Sequence, residues 1–414
     1  MKKNIWIWNH YATNMIEDKA GRHYWLSENL IVNGYTPTIF CASTQHNSDK
    51  NIDTDGQIFT KRISGGIPFV IVKTPRYSGN GKKRIINMVS FYKNLFHAAK
   101  KYANENEKPD VIVASSVHPL TLVAGIKIAK KFGIPCICEV RDLWPESIVA
   151  YGGIKRNSLL ARILYLGEKW IYKKADSIIM TWEGGSQYIK DQGWNKQIDL
   201  NKVKHISNGV IIDTFDKNSQ DYQVYDTDLN DKNYKNLVYA GSIRKVNNLG
   251  LLLEAAKIVQ RNDEKIRFLI YGSGDEKEML EKRCIEEGII NVIFKGRVEK
   301  RMIPSILKRA YANILHNSST SLDKYGQSQN KFFEYLAAGR CVIQTYTTAY
   351  SILEKYNCGM SASSQDPEAI AEIILKACSS DEKARHMGQN ARKAAYEYDF
   401  KKLTNELIEI IEIV

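Results

Sequence analysis

The sequence predicts an α/β protein built from two doubly wound domains, each a parallel sheet with helices on both faces. Short apolar runs alternate with longer segments of helical periodicity in both halves of the chain, which is the pattern of successive βαβ units. At 414 residues the chain is long enough for two domains of about 200 residues each. Residues 216–236 are polar and turn-rich, so we expect an exposed connection between the two series there.

The predicted elements fall into two series. The first has strands at 4–8, 36–41, 69–72, 111–114, 134–139 and 177–181, with helices at 22–33, 84–102, 120–131, 159–174 and 185–192. The second has strands at 236–240, 266–271, 292–295, 312–315 and 341–344. We place the first domain at residues 1–208, with a C-terminal helix at 396–414 packing back on it, and the second at residues 209–395. Ligands of open parallel sheets lie beyond the carboxyl ends of the strands, so the loops that follow strands are the candidate sites.

Composition narrows the class of partner. The net charge of +13 and the isoelectric point near 9.1 suit nucleic acid, an anionic membrane or phosphorylated small molecules. The 59 Lys and Arg residues are spread along the chain beside 46 Asp and Glu residues, which argues against a nucleic-acid interface. Seven cysteines without a C-x-x-C pair predict reduced thiols and no metal site. The basic start is followed only by a short apolar run at 5–8, so we expect a cytoplasmic protein without a signal peptide or membrane span.

The stretch SQNKFFEYLAAG at 328–339 predicts a helix with two different sides, capped by Ser328 and ended by Gly339. Its apolar stripe is Phe332, Phe333, Leu336 and Ala337, and its polar side is Asn330, Lys331 and Glu334. Free N–H groups and an ammonium suit a phosphate, and a carboxylate one turn on suits vicinal hydroxyls. The alternative is an ordinary amphipathic surface helix.

Three further loops of the second series could contact a ligand. The loop after strand 236–240 offers Gly241, Ser242, Arg244, Asn247 and Asn248. This set is typical of an anion cradle, although a turn with a polar cap explains it equally well. Gly272 and Gly274 follow the next strand but lack the third glycine of a dinucleotide fingerprint, so we predict at most the approach of one nucleotide. The loop ending at Val298 offers main-chain groups to a base.

In the first series, Arg141, Asp142 and Glu146 follow strand 134–139, and His118 follows strand 111–114. Charged side chains that are buried at the end of a strand are unfavourable unless they pair with one another or bind a ligand. A structural Arg–Asp pair and a structural histidine are the alternatives. The sequence has no H-E-x-x-H motif and no recognisable Ser/His/Asp order.

Basic and large apolar residues are interleaved in one loop and the helix after it. The cations are Arg76, Lys82, Lys83 and Arg84, and they lead into the predicted helix at 84–102. This mixture suits the surface of an anionic bilayer, although a solvated loop before a core helix is the alternative. The predicted helix at 159–174 has similar chemistry.

Seven stretches together resemble a known family: AGRHYWLSENLIVNGYTPTIF, EVRDLWPES, HISNGVIIDTF, AGSIRKVNNLGLLLEA, LIYGSGDEKEML, VIFKGRV and SQNKFFEYLAAGRCVI. They resemble retaining family-4 glycosyltransferases of the GT-B fold, in which two Rossmann-like domains face a cleft. The likeness covers nearly the whole chain and is greatest to bacterial enzymes that build O-antigen, capsule or other surface polysaccharides, including L-fucosamine transferase-like enzymes.

The resemblance implies roles for individual residues. Glu334 would bind the ribose hydroxyls of a nucleotide diphosphate sugar, and Asn330 and Lys331 would hold its diphosphate. The other donor contacts would be Gly241, Ser242, Arg244, Asn247, Asn248, Gly272, Gly274 and Val298. The first domain would bind the acceptor, with Gly21 and Glu146 beside it and with Arg141, Asp142 and His118 as catalytic candidates. No cofactor and no metal are expected.

Three departures separate this chain from the common pattern of the family. Gly326 stands eight residues before Glu334, where relatives have a second Glu for the donor sugar. The usual phosphate-binding Arg and Lys fall on Ser242 and Asn247. The histidine that many relatives place near the reacting carbon aligns with Arg141.

We therefore predict a metal-independent, retaining glycosyltransferase that moves a sugar, an N-acetylated hexosamine, from a UDP-linked donor to a lipid-linked glycan acceptor. It would be peripheral at the inner face of the plasma membrane and would contact anionic lipid. A nucleotide-sugar 2-epimerase of the same architecture is the alternative, and a basic nucleic-acid-binding protein is a distant one.

Overall fold

The computed structural model describes residues 2–46, 48, 50–77, 79 and 81–414. The chain divides into two compact units. The first comprises Met1–Ser207 together with Phe400–Val414, and the second comprises Asn208–Asp399. Each unit is a mainly parallel sheet flanked by helices, so the predicted fold class is confirmed.

The strands, in chain order, are β1 (Asn4–Trp8), β2 (Thr36–Ala42), β3 (Phe59–Ser64), β4 (Ile67–Val72), β5 (Val111–Ser115), β6 (Cys136–Val140), β7 (Ser177–Met180), β8 (Val203–His205), β9 (Lys235–Ala240), β10 (Ile266–Tyr271), β11 (Val292–Gly296), β12 (Ala312–Leu315), β13 (Cys341–Gln344) and β14 (Gly359–Ser361).

The helices are α1 (Met15–Asp18), α2 (Arg22–Val32), α3 (Lys82–Glu105), α4 (Pro119–Phe132), α5 (Glu146–Ala150), α6 (Leu159–Lys174), α7 (Gly185–Asp191), α8 (Ile212–Asp221), α9 (Thr227–Asn230), α10 (Leu249–Asn262), α11 (Lys277–Glu286), α12 (Ile303–Arg309), α13 (Asn330–Ala337), α14 (Ile352–Tyr356), α15 (Pro367–Cys378), α16 (Asp381–Glu397) and α17 (Phe400–Ile413).

The sheet of the first domain has the strand order β3-β4-β2-β1-β5-β6-β7-β8. Every neighbouring pair is parallel except β3 with β4. The central strands are covered on both faces and therefore consist of continuous apolar residues, as in the buried run of β1. The order of the strands reverses between β1 and β5, so the loops after these two strands bound the expected ligand site of this domain.

The sheet of the second domain has the order β11-β10-β9-β12-β13-β14 and is parallel throughout. Its helices pack on both faces, with α10 and α15 on one face and α8, α12 and α13 on the other. The order reverses between β9 and β12, so the loops after these strands are the equivalent place in this domain.

All eleven predicted strands are present, and three strands were missed. β3 is an edge strand whose exposed Lys61 and Arg62 interrupt its apolar residues, while β8 and β14 have only three residues each. The prediction of an exposed connection at 216–236 is wrong in part, because α8 extends into it and α9 lies within it. Asp226 in this stretch is buried and accepts a hydrogen bond from the Tyr271 hydroxyl at 2.6 Å.

The C-terminal helix α17 packs on α2 of the first domain, where the rings of Phe400 and Trp25 lie 4.9 Å apart. The seven cysteines are free and buried. Within the described ranges no helix is both long and apolar enough to span a bilayer.

Candidate functional site

Helix α13 lies at the switch point of the second sheet. Phe332, Phe333 and Leu336 are fully buried in the core. The hydroxyl of Tyr335 donates to the carbonyl of Ala240 at 3.2 Å and accepts from its N–H at 3.0 Å. This pair of hydrogen bonds fixes the helix to the end of β9. The burial of its apolar side chains confirms the predicted apolar stripe.

The predicted cap of this helix is wrong. The residue before the first turn is Gln329, and no side chain caps the helix. Ser328 is occupied elsewhere, because its Oγ accepts from the Asn208 N–H at 2.8 Å and its carbonyl accepts from the Asn208 amide at 2.6 Å. The N–H groups of the first turn are therefore left without a side-chain acceptor. Gly339 follows the last turn with φ +67°, as predicted for a helix end.

Lys331 brings an ammonium group to the start of this helix. Its Nζ donates to the carbonyl of His316 at 3.0 Å and lies 4.6 Å from the ring centre of Tyr239. No carboxylate among the described residues is within ion-pair distance of it. Burial lowers the pKa of Lys331 to about 7, and a nearby anion would restore the charged form.

Glu334 lies one turn further along the helix and is half-buried. Among the described residues none donates a hydrogen bond to its carboxylate. Burial raises its pKa, while the charge of Lys300 opposes the rise. A half-buried acid whose two oxygens are free can accept hydrogen bonds from a pair of hydroxyls. Asn330, the third polar residue of the predicted set, is exposed at the first position of the helix.

The loop after β9 is held in shape by its own polar groups. The hydroxyl of Ser242 donates to the Asn247 side chain at 2.9 Å, and the Tyr239 hydroxyl donates to the Ser242 carbonyl at 3.0 Å. Asn248 has the left-handed conformation, with φ +50°, just before α10. Arg244 is exposed. The structure thus brings Ser242, Asn247 and Asn248 to the edge where α13 begins.

His316 joins these two loops and was missed by the sequence reasoning. Its Nε2 donates to the Asn248 carbonyl at 2.9 Å, and its Nδ1 accepts from the Thr345 hydroxyl at 2.6 Å. Burial lowers its pKa to about 4, so the ring is neutral at pH 7. Because its carbonyl also accepts a hydrogen bond from Lys331 Nζ, His316 positions that ammonium group. A histidine directly after an apolar strand was the available signal.

Gly272 and Gly274 are required by packing between loops. A Cβ at Gly272 would lie 1.8 Å from the Gly241 carbonyl oxygen, and one at Gly274 would lie 1.9 Å from that of Ile243. Backbone packing therefore accounts for both glycines without a nucleotide. Val298 is half-buried against the same apolar cluster as α13.

Gly326 has φ +95°, which disfavours every residue with a side chain. A carboxylate at this position would therefore strain the loop. The residues after it form a neutral network, in which the amides of Gln327 and Gln329 bond Gln344 at 2.6 Å and the Tyr346 hydroxyl at 2.7 Å. The loop thus has amides and a phenol next to the position where the resemblance implies a second Glu.

The first domain has a histidine pair at its own switch point. His118, directly before α4, lies 2.6 Å from His10, and the other ring nitrogen of His10 lies 2.7 Å from the Asn87 side chain. Burial and the charge of Arg84 lower the pKa of His118 to about 3, and burial with the His118 ring lowers that of His10. The Nδ1 of His118 is buried and has no hydrogen-bond partner in the part of the chain that the structure describes. His10 was not predicted, although it follows β1 directly.

A second buried network surrounds Glu139 in β6. Its carboxylate accepts hydrogen bonds from the Arg22 guanidinium at 2.8 Å, the His23 ring at 2.7 Å and the Ser115 hydroxyl at 2.6 Å. Burial by itself raises the pKa of Glu139, but the charges of Arg22 and His23 outweigh it and hold the pKa well below its ordinary value. Sequence reasoning missed this acid because it lies inside the strand, two residues before Arg141.

The predicted residues of the first domain do not form one cluster. Arg141 is half-buried, and its backbone N–H donates to the Ser116 hydroxyl at 3.0 Å, while its Nε has no hydrogen-bond partner among the described residues. Asp142 is exposed. In the described part of the chain no hydrogen bond or ion pair joins His118 to either residue.

Two acceptor-side candidates have evident structural roles. The carboxylate of Glu146 is occupied by Arg156 at 2.7 and 2.8 Å, the Tyr165 hydroxyl at 2.6 Å and the Gln192 amide at 3.2 Å. Gly21 precedes α2 with φ +118°, and a Cβ there would lie 2.9 Å from Met15. Over the described residues there is no group of three or more His, Cys, Asp or Glu side chains that could hold a metal ion.

Two parallel α/β domains in one chain, each with polar groups at its switch point, form the architecture of GT-B glycosyltransferases. The family model Glycosyltransferase Family 4 matches residues 24–214, and the model Glycosyl transferases group 1 matches residues 226–394. Because the two matches fall in the two domains, the chain is a glycosyltransferase of the GT-B type.

Individual relatives are distant in sequence. The chain is similar to the probable glycosyltransferase WbjE of Pseudomonas aeruginosa, with 20% identity over 296 residues that cover 68% of this chain and 69% of the relative. Among solved structures it resembles the sucrose-phosphate synthase of Thermosynechococcus elongatus, with a TM-score of 0.73, 15% identity and coverage of 100% and 99% of the two chains. It also resembles HepE (Alr3699) of Anabaena in complex with UDP and glucose, with a TM-score of 0.65, 14% identity and full coverage of both chains.

Proposed function

We propose that the protein is a retaining glycosyltransferase that moves an N-acetylated hexosamine from a UDP-linked donor to a lipid-linked glycan acceptor. The second domain binds the donor and the first domain binds the acceptor. The product is an intermediate of a surface polysaccharide such as O-antigen or capsule. The choices of base, sugar and acceptor rest on the resemblance of the motifs quoted above.

One observation carries the donor part of this proposal. At the start of α13, and as far as the described residues extend, Lys331 is a positive charge without an acid, and Glu334 is an acid without a hydrogen-bond donor. A nucleoside diphosphate supplies both missing partners, because its phosphates accept from the ammonium and the open N–H groups while its ribose hydroxyls donate to the carboxylate. The similar fold of HepE in complex with UDP and glucose is consistent with this assignment.

The transfer step needs positioning and charge compensation. The bond from the sugar carbon to the diphosphate oxygen breaks, the acceptor oxygen bonds to the same face of that carbon, and the departing diphosphate takes the acceptor proton. Lys331 and the first turn of α13 stabilise the negative charge that develops on the diphosphate. These groups do the work for which other enzymes use a metal ion, so we propose metal-independent transfer without a cofactor.

In the first domain, Arg141, Asp142 and His118 are the candidates for contact with the acceptor. The exposed carboxylate of Asp142 and the unpaired Nε of Arg141 follow β6, at the edge where ligands of parallel sheets bind. The neutral ring of His118 lies after β5. We propose that the protein meets its acceptor at the inner face of the plasma membrane.

The donor assignment is tested by the variant Glu334→Gln, with Glu278→Gln as the matched control because Glu278 is exposed on α11. A hydrogen bond to a charged group contributes about 1.5–3 kcal/mol, so Glu334→Gln is expected to weaken UDP binding roughly 10- to 150-fold. Isothermal titration with UDP measures the change. Unaltered UDP affinity in Glu334→Gln would remove this residue from the donor site.

Turnover distinguishes the proposal from a nucleotide-sugar 2-epimerase. The purified protein is incubated with UDP-linked N-acetylhexosamines in the presence and absence of a polyprenyl-diphosphate-linked glycan. A transferase releases UDP only when the acceptor is present. Conversion of the UDP-sugar to its epimer without acceptor would establish the epimerase instead.

A further inference from the structure

Helix α6 of the first domain exposes an apolar stripe to solvent. Leu159, Ile163, Leu166 and Trp170 have exposed fractions between 36% and 75%. Their spacing of four, three and four residues places them in one row along the helix. The side chains that α6 buries in the domain are Ala161, Glu168, Ile171 and Tyr172. The helix is therefore apolar on both sides of its axis, whereas a surface helix normally turns a polar face to water.

The charges on the exposed part of α6 all have one sign. The cations on this helix are Arg162, Lys169, Lys173 and Lys174. Its single acid, Glu168, is buried and accepts from the hydroxyls of Tyr172 at 2.7 Å and Tyr188 at 2.8 Å. An apolar row flanked only by cations is the pattern of a helix that lies in the interface of an anionic bilayer.

The topology places the first turn of α6 at the ligand-binding edge of the sheet. The helix leads from β6 back to β7, and these strands are parallel, so Leu159 lies at the carboxyl edge of the sheet. Helix α3 begins at the same edge, since it leads from β4 to β5, and its first turns expose Ile85, Ile86 and Val89. Helix α4 packs against both α3 and α6, which places the three helices side by side on one face of the sheet.

We infer that the solvent face of α6 docks on a membrane surface that contains anionic lipid, with its first turn beside the place where a lipid-linked acceptor reaches the domain. This inference rests on the proposed function for the identity of the acceptor only. The sequence pointed first to the cations at 76–84, of which Lys82, Lys83 and Arg84 lie in the first turn of α3. The structure assigns the main contact to α6, because its exposed apolar row extends over three turns from Leu159 to Trp170, whereas the exposed apolar residues of α3 are confined to its first turns.

A second copy of this chain fits the same face poorly. In a twofold dimer through α6, each partner would bring the same cations to the interface, and like charges in a desolvated contact are unfavourable. A bilayer with anionic headgroups compensates those charges and also accepts the apolar row. The charge pattern therefore selects lipid over self-association.

The test measures sedimentation of the full chain with two kinds of vesicle, phosphatidylcholine alone and phosphatidylcholine with phosphatidylglycerol. We expect binding to the anionic vesicles only. The variant Ile163→Glu/Leu166→Glu is expected to abolish it. The variant Lys169→Glu/Lys173→Glu is expected to weaken it by roughly fivefold or more for each cation lost. Ile285→Glu is the matched control, because Ile285 is 84% exposed on α11 of the second domain and should bind like wild type.

Three results would overturn the docking surface. The first is absence of binding by the wild type to anionic vesicles. The second is an equal loss of binding in Ile285→Glu. The third is a wild-type dimer in light scattering that the Ile163→Glu/Leu166→Glu variant converts to monomer. Circular dichroism and the shift of melting temperature by a UDP-sugar establish that each variant is folded.

The inference and the proposed function can fail separately. If both hold, the α6 variants keep their activity on a water-soluble acceptor and lose it on an acceptor embedded in vesicles. Vesicle binding that depends on α6, in a protein without transferase activity on any acceptor, would support the docking surface and contradict the proposed function. Transferase activity on embedded acceptor that is unaltered in Ile163→Glu/Leu166→Glu would contradict the docking surface alone.

Discussion

The polar groups around Glu139 in the first domain differ from those around Lys331 in the second. Glu139 is 1% exposed and has three donors, each within 2.8 Å. Lys331 has a carbonyl and an aromatic ring but no acid, and Glu334 has no donor among the described residues. A network that satisfies itself holds a domain together, whereas charges without partners are available to a ligand. The difference therefore distinguishes a structural cluster around Glu139 from the proposed binding site around Lys331.

The largest expected effect is loss of stability in the first domain. Glu139→Ala would leave the buried Arg22 without its carboxylate, which typically costs about 3–5 kcal/mol of unfolding free energy. Urea denaturation measures the loss. Glu334→Ala is the control in the second domain and should be as stable as wild type, because no described residue donates a hydrogen bond to its carboxylate.

The pH dependence of stability gives a second test of the role of Glu139. The pKa of Glu139 is lower in the folded state than in the unfolded chain, so its stabilisation is present above the ordinary glutamate pKa of about 4.3 and is lost as the pH falls through the folded value. The difference between wild type and Glu139→Ala should shrink in acid. Equal destabilisation by Glu139→Ala and Glu334→Ala at pH 7 would contradict the division into structural and binding clusters.

The next effect concerns donor binding. Replacement of Lys331 by Met removes a charged hydrogen bond to the diphosphate, which is expected to cost about 1.5–3 kcal/mol of binding free energy. The melting temperature without ligand should not fall, because burial already disfavours the ammonium. Titration calorimetry with a UDP-sugar measures the affinity, and a UDP-sugar has no group of its own that titrates near neutral pH.

The pH profile identifies the ammonium. The pKa of Lys331 in the free protein is about 7, so the charged form is lost as the pH rises through this value. Affinity for the UDP-sugar should be highest below pH 7 and fall by roughly tenfold between pH 6 and pH 8. Lys331→Arg stays charged, so its profile should be flat. A sloping profile in Lys331→Arg would assign the pH dependence to another group.

The smallest expected effect on stability is at the histidine pair. His118→Ala removes the hydrogen bond to His10, which costs about 1 kcal/mol. Donor affinity should not change, while the transfer rate should fall if His118 contacts the acceptor. Thermal unfolding and the split between kcat and donor KM measure the two effects, and His97→Ala on exposed His97 of α3 is the control. A raised donor KM in His118→Ala would place this residue in the donor site.

The sequence was most informative where one local pattern decides the structure. The continuous apolar runs of the central strands were predicted from their composition, because a strand covered on both faces contains few polar residues. The helix at α13 was predicted with its two sides and with Gly339 at its end. Local patterns were less informative at β3, whose charged residues obscure the strand, and at 216–236, where a polar composition concealed two helices.

The buried polar residues that the sequence did not predict were missed for a different reason. His10, His316 and Glu139 each act through partners that lie far away in sequence, namely His118, Asn248 and Arg22. Such contacts form only when the strands have been ordered in a sheet. The cap of α13 was mispredicted for the same reason, because the Ser328 hydroxyl accepts a hydrogen bond from the distant Asn208 and does not cap the helix.

By itself the sequence determined two α/β domains with mainly parallel sheets and the two-sided helix that Gly339 ends, because periodicity is a property of neighbouring residues. It also indicated the likeness to glycosyltransferases. Only the tertiary structure decided which charges are satisfied and which apolar side chains face water. The carboxylates of Glu139 and Glu146 accept hydrogen bonds from several side chains, whereas that of Glu334 has no donor among the described residues. Helix α6 turns an apolar row outward. Burial and pairing depend on every element packed around a residue, and no single stretch of sequence contains that information.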